Sequence, residues 1–232
     1  MGEPRSTPAE QAQEVIERLS ETYPDATISL EFADRLQLLV AVILSAQCPD
    51  ERVNAVTDEL FDDYRTAADY ADADVDELAE AISSITYPNS KAEYLKGVGE
   101  TLREEHDGAV PDTMEELLEL PGVGRKTANV VLQHGHDVDE GVVVDTHVMR
   151  LSRRLGITEA ERRDAIEREL MDVVPQDQWR SYTHWLIAHG RGVCTARNPD
   201  CEDCVLEDIC PSSRVDGTVD LASGEPWADG EG

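Results

Sequence analysis

Lysine is the scarcest charged residue in this 232-residue chain: Lys91, Lys96 and Lys126 stand against 50 Asp and Glu. Aromatic residues make up 5%, with only two Phe. The longest uninterrupted apolar run, Leu38 to Leu44, is far too short to cross a bilayer, and Met1-Gly2-Glu3-Pro4-Arg5 is followed by no apolar stretch. Neither a membrane span nor a secretory signal is therefore expected, and the chain reads as soluble and cytoplasmic. An apolar content of 40% suffices for a packed core.

The net charge is −30. So acidic a surface ordinarily repels nucleic acid, because Lys and Arg supply most non-specific affinity for phosphate. At molar salt the Debye length falls to about 3 Å and diffuse charge stops acting at a distance. Scarce lysine with abundant Asp and Glu thus fits a halophile. The charge is also uneven. Residues 141–198 hold nine Arg against eight acids, a net of +1, which leaves −31 for the rest. That Arg-rich stretch is a candidate DNA-facing surface, since the guanidinium fork grips phosphate at close range.

Apolar residues recur at helical spacing almost throughout. Val15, Ile16, Leu19 and Tyr23 form one stripe, and Val53, Val56 and Leu60 another. Val75, Leu78 and Ile82 follow, then Ala92, Leu95 and Leu102, with Ser90 as the expected N-cap. Leu36 to Leu44 reads as a helix buried nearly all round. Thr113 with Glu116, and Thr158 with Glu161, have capping-box spacing. Trp179, Tyr182 and Leu186 mark the last amphipathic face. Val142-Val143-Val144 is the only β-branched run, so the expected fold class is all-α. Residues 1–8 and 213–232 read as flexible termini.

Leu120-Pro121-Gly122-Val123-Gly124-Arg125-Lys126-Thr127-Ala128 closes one helix and opens another. Pro121 stops the first helix, the glycines allow a tight turn, and Val123 can pack inward to stiffen it. Backbone N–H groups at the start of the second helix suit a phosphate oxygen. The string resembles the helix–hairpin–helix motif, which by itself implies sequence-independent DNA backbone binding through Gly122, Val123, Gly124 and Arg125. Lys126 opposes the helix dipole, an odd choice for a merely solvated position. At the positive helix end beside Arg125, and in a low-dielectric cleft, its amine is disposed to lose a proton and act as a nucleophile. On spacing alone, nucleophile and phosphate-binding lysine stand level.

Asp145 follows the valine run and precedes Thr146-His147. It is placed to cap a helix, and an acid there stays ionised, as stabilising a developing positive charge requires. His147 carries no expected chemistry. Cys194, Cys201, Cys204 and Cys210 form Cys-x6-Cys-x2-Cys-x5-Cys. Four cysteines within 17 residues argue for metal rather than disulfides. Zinc and a [4Fe–4S] cluster are comparable on spacing. Arg197, between the first two cysteines, is a candidate phosphate contact, and Cys48 stands apart.

Taken together, Leu44-Ser45-Ala46-Gln47, Asn89-Ser90-Lys91-Ala92, Leu120 to Val130, Val144-Asp145-Thr146-His147, His184-Trp185-Leu186, His189-Gly190-Arg191 and the cysteine spacing resemble the endonuclease III family of DNA glycosylases. The resemblance runs from about residue 10 to 212. It implies a six-helix barrel domain (28–138) carrying the hairpin, and a cluster domain (9–27 and 139–212) around one [4Fe–4S] per chain, with a DNA-binding cleft. It implies base-excision repair by a bifunctional glycosylase/AP lyase that removes oxidised pyrimidines. Lys126 would be the amine nucleophile and Asp145 the catalytic carboxylate. Gln47 would fill the gap left by the extruded nucleotide, with Tyr87 and Asn89 beside it. The implied partner is duplex DNA with damaged pyrimidines or abasic sites, bound by a monomer near the nucleoid. The salt-adapted composition would suit a halophilic archaeon. Rival readings are a glycosylase for mismatched thymine, uracil or adenine, a non-catalytic DNA-binding module, and an electron-transfer protein. Two departures touch damage preference: Thr86-Tyr87-Pro88, where the family commonly has Gly, a bulky apolar residue and Tyr, and Cys48-Pro49 after Gln47.

Overall fold

A computed structural model describes residues 6–215. Eleven α-helices account for most of them, and no strand occurs among the described residues. The helices are α1 (Pro8–Thr22), α2 (Arg35–Leu44), α3 (Asp50–Asp63), α4 (Ala67–Asp72), α5 (Val75–Ala81), α6 (Pro88–Glu105), α7 (Met114–Glu119), α8 (Arg125–Val131), α9 (Thr146–Arg154), α10 (Arg163–Val173) and α11 (Trp179–Gly192). The chain divides into two compact units. One is continuous, Ser29–Glu140. The other combines the described residues up to Ile28 with those from Gly141 onward. Residues 1–5 and 216–232, expected to be flexible, lie outside the described residues.

In the Ser29–Glu140 unit, α2 is apolar on every side, and Leu38 to Leu44 are all buried. It packs on α3, α6 and α8. Each fully buried Leu or Val contributes roughly 1.5–3 kcal/mol from apolar transfer. Against α2 runs α6, the longest helix, which also packs on α4 and α5. Gly99 lets the contact between α6 and α4 close. A Cβ there would lie 2.6 Å from Ala71 N and 2.7 Å from Ala67 O. Beyond α8 the chain widens into a π-helical turn, Leu132–His136, that ends on Asp137 in the left-handed region (φ 60°). Arg35 Nε donates to Gly135 O at 2.7 Å, tying the start of α2 to that turn.

The other unit buries Val15 and Leu19 of α1, Val148 and Leu151 of α9, Ile166 and Leu170 of α10, and Tyr182 and Leu186 of α11 in one core. The valine run is buried, with Val142 1%, Val143 4% and Val144 5% exposed. It leads into α9 without pairing as a strand. Its anchor is side chain to backbone: Thr183 Oγ1 donates to Val143 O at 3.2 Å.

Three local expectations change. The cap of α6 is Tyr87 rather than Ser90, because Pro88 at the first helical position starts the helix earlier. Thr158 caps no helix. Its hydroxyl donates to the Glu169 carboxylate and accepts from Ala160 N, and α10 begins at Arg163. Thr7 and Pro8, read as the end of a loose arm, instead start α1 with a complete capping box to Glu10. Thr113 does accept from Glu116 N at 3.3 Å, but the Glu116 carboxylate takes the threonine hydroxyl at 2.6 Å.

Two outcomes follow for stability. Gly99→Ala forces a methyl onto the backbone of α4, so it should lower stability by about 1–3 kcal/mol, read as a drop in the urea midpoint. His184 on α11 is held neutral: burial, and then Arg180, push its pKa down to about 4. The unfolded chain takes up that proton first, so this contribution is complete above about pH 6.5 and is lost as pH falls towards 4. The loss is at most on the order of 3 kcal/mol. The urea midpoint of His184→Gln should depend less on pH across that window than that of the parent protein.

Candidate active site

The hairpin is built from α7, a four-residue turn and α8. Leu120 ends α7, and Val123 N donates to Leu120 O at 3.1 Å. Val123 is 8% exposed and fills the turn from inside. Gly122 is required twice over. Its φ is +75°, and a Cβ would sit 2.7 Å from the Tyr94 ring of α6. Gly124 begins α8 with no side-chain cap, and nothing lies within 4 Å of the place its Cβ would occupy. The first N–H groups of α8 therefore have no acceptor within the helix, the arrangement that suits an anion. Arg125 and Lys126 follow directly, both exposed. The expected low-dielectric setting of Lys126 is thus not supplied by its own unit.

The three lysines divide sharply. Lys96 Nζ donates to Ala73 O at 2.8 Å. Lys91 Nζ donates to Leu44 O and Ala46 O at 2.8 and 2.6 Å. Lys126 alone of the three extends to solvent. Gln47, in the turn after α2, is exposed with φ 54°. Tyr87 is 63% exposed with φ 57°, and Asn89 is exposed in the first turn of α6. Positive φ at two non-glycine residues is costly, on the order of 1 kcal/mol or more each.

In the other unit Asp145 is the N-cap of α9. Its Oδ1 accepts from Val148 N at 2.8 Å, and its Oδ2 lies 3.0 Å from His147 Nδ1. The carboxylate is thus fixed from two sides, with 19% of its side chain exposed. His184 lies near enough for the Asp145 charge to act on it. His147 is a neighbour of Asp145 that sequence reasoning left without a role. Its signal was spacing: two residues after a cap, a ring nitrogen can meet the cap's second oxygen.

The inner face of α9 carries two buried arginines, Arg150 and Arg154. Arg150 Nη2 donates to Gly190 O and Cys194 O. Arg154 donates to Thr195 O and Ala196 O, and its Nη1 lies 3.4 Å from Cys194 Sγ. These bonds fix the loop that leaves α11. Helix α1 fastens the other end of the cysteine segment through Gln11 to Ile209 O and Arg18 to Asp208. Arg197 is exposed on the loop between the first two cysteines.

Cys194, Cys201, Cys204 and Cys210 line a single pocket with Leu151, Leu155 and Leu206. None is in a disulfide, and Cys48 is buried separately in the Ser29–Glu140 unit. Burial pushes the Cys204 and Cys210 thiols up to about 11, so only a strongly bound cation would make them thiolates. Zinc would draw all four sulfurs to about 2.3 Å from one ion. Four thiols around one apolar pocket fit an iron–sulfur cluster, whose ligands go to different iron atoms.

Comparison with known proteins agrees with this geometry. Residues 40–176 match the HhH-GPD superfamily of base excision DNA repair proteins. Residues 194–210 match the iron–sulfur binding domain of endonuclease III. Endonuclease III of Synechocystis is 50% identical, the match covering 89% of this chain and 94% of the relative. That of Escherichia coli is 40% identical, over 85% and 93%. Among solved structures, a trapped endonuclease III–DNA covalent intermediate superposes with a TM-score of 0.84 at 38% identity, over 88% of this chain and 95% of that one. A thermostable thymine-DNA glycosylase, at 22% identity and a TM-score of 0.79, shares the fold. By its two family matches, its relatives and its cysteine centre, the chain belongs to the endonuclease III family.

Proposed function

We propose that Lys126 is the nucleophile and Asp145 the partner carboxylate of a bifunctional DNA glycosylase and AP lyase acting on oxidised pyrimidines in duplex DNA. The observation that carries this reading is the division of the lysines. Two of three are spent on backbone carbonyls, and the third stands exposed on the helix that opens the DNA-binding hairpin. The family resemblance points the same way, since its members that excise adenine or mismatched thymine usually lack a lysine at this position.

The reacting carbon, C1′ of the damaged nucleotide, is inaccessible within a duplex. The nucleotide must be everted at a cost of a few kcal/mol, less where the base is damaged. The neutral Lys126 amine forms a bond to C1′ as the glycosidic C–N bond breaks and the base leaves with the bonding pair. Asp145, held in place by its two hydrogen bonds, stabilises the positive charge that develops on the sugar and accepts the proton shed by the amine. Ring opening gives a Schiff base. Loss of a C2′ proton then expels the 3′ phosphate, cutting the strand by β-elimination.

Backbone N–H groups of Gly124 and Arg125, with the Arg125 side chain, would hold a phosphate. Gln47, Tyr87 and Asn89 would contact the opened stack, and Arg197 a phosphate further along. The four cysteines would hold the [4Fe–4S] cluster, which supplies a rigid cross-link for the loop carrying Arg197. The protein would act as a monomer in a salty cytoplasm close to the nucleoid. No helix among the described residues is long and apolar enough to cross a membrane.

Lys126→Ala should lose strand cutting at abasic sites by about 100-fold or more, with no borohydride-trapped adduct. Asp145→Asn should lose base removal to a similar degree while duplex affinity changes less than about threefold. Full activity in either variant contradicts the assignment. The purified protein should contain iron and acid-labile sulfide, with the broad visible absorbance of a cluster. A colourless, zinc-loaded protein overturns the cofactor.

A further inference from the structure

Lys91 sits in the first turn of α6 and is 4% exposed. Burying an ammonium is expensive unless its donors are satisfied. Here two donors are taken by carbonyls rather than by carboxylates: Leu44 O at 2.8 Å and Ala46 O at 2.6 Å. Leu44 is the last residue of α2, where carbonyls lack intrahelical partners and the helix dipole is negative. Ala46 O belongs to the peptide that enters Gln47. At the other end, the backbone N–H of Lys91 donates to Tyr87 O at 3.1 Å. Lys91 therefore joins, through its side chain and through the first backbone bond of α6, two of the turns in this unit that present exposed left-handed residues, those of Gln47 and Tyr87.

Neither turn has another device of this kind. Tyr87 caps α6 without a side-chain hydrogen bond, and the Gln47 turn is otherwise closed only by short-range bonds: Ala46 N to Ile43 O at 3.4 Å, Cys48 N to Ser45 O at 3.1 Å and Ser45 Oγ to Val42 O at 2.9 Å. Methionine would span the same buried path without charge. What the ammonium adds is directional: it pins two carbonyls that lie 47 and 45 residues away in sequence.

We propose that Lys91 is a positioning residue that clamps the Gln47 turn to the Tyr87 turn, so that both side chains enter the duplex at the everted nucleotide as one rigid two-pronged element. This rests on the glycosylase reading above. Lys91 touches neither base nor sugar. Its effect passes through the placement of Gln47, where an error of about 1 Å can cost on the order of 100-fold in rate.

The test is a pair of double-mutant cycles on base removal from a thymine-glycol duplex. Lys91→Met should lower kcat/KM by about 10–100-fold. Added to Gln47→Ala, it should cost less than about threefold more, because the element it positions is already gone. Added to Arg125→Ala, which removes a phosphate contact on the hairpin, its effect should multiply in full. General damage to the unit would multiply in both cycles and would overturn the proposal, as would unchanged activity in Lys91→Met. If helicity shows that Lys91→Met does not fold, Lys91→Arg is carried through the same cycles with the same criteria. A parent protein inert towards both thymine-glycol and abasic duplexes would refute the glycosylase reading itself, and the Lys91 assignment with it.

Discussion

The Ser29–Glu140 unit depends on how closely other segments approach one helix. Along α6, Tyr87 caps the start, Lys91 reaches the end of α2, Tyr94 lies against Gly122, Gly97 meets the Pro121 ring and Gly99 admits α4. The Gln47 turn, the Tyr87 turn and the hairpin are thus all registered against a single rigid element. Two of these contacts leave no room for a methyl group. Interiors this dense do not deform gradually, so the hairpin is held where α6 puts it.

The other unit solves a related problem through α9. Its N-cap is Asp145, and its buried arginines grip the loop that enters the cysteine centre. Buried guanidinium groups are costly unless their donors are met. The carbonyls of Gly190, Cys194, Thr195 and Ala196 supply the acceptors. The same helix therefore carries a carboxylate at one end and anchors the metal loop along its side. A chain so poor in lysine uses arginine for this work, and the planar fork suits several converging carbonyls better than an ammonium would.

Features encoded by adjacent residues were legible in the sequence. The all-helical class, the buried α2, the Leu120–Lys126 hairpin and the four cysteines each rest on local spacing. Position 145 was expected at a helix start and caps α9. What sequence could not give were the long-range partners. Ser90 looked like a cap because its side chain suits one, yet Pro88 starts the helix two residues before it. Thr158 and Glu161 had capping spacing, but a buried threonine found Glu169 instead. Lys91 stood out only as part of Asn89-Ser90-Lys91-Ala92, with no partner assigned, and His147 carried no expected chemistry. Their partners are set by how helices pack and by the second oxygen of a cap, neither of which periodicity records. The low-dielectric surroundings expected for Lys126 came from its supposed role, and its own unit leaves it exposed.

The central claim concerns which amine attacks the sugar. Lysine scarcity makes this directly measurable, since Lys91, Lys96, Lys126 and the α-amino group are the only primary amines in the chain. The protein is reacted with an abasic duplex under borohydride, digested, and the sugar-bearing peptide identified by mass spectrometry. The account predicts a single modified site at Lys126. Modification at Lys91, Lys96 or the amino terminus, with Lys126 unmodified, would contradict it.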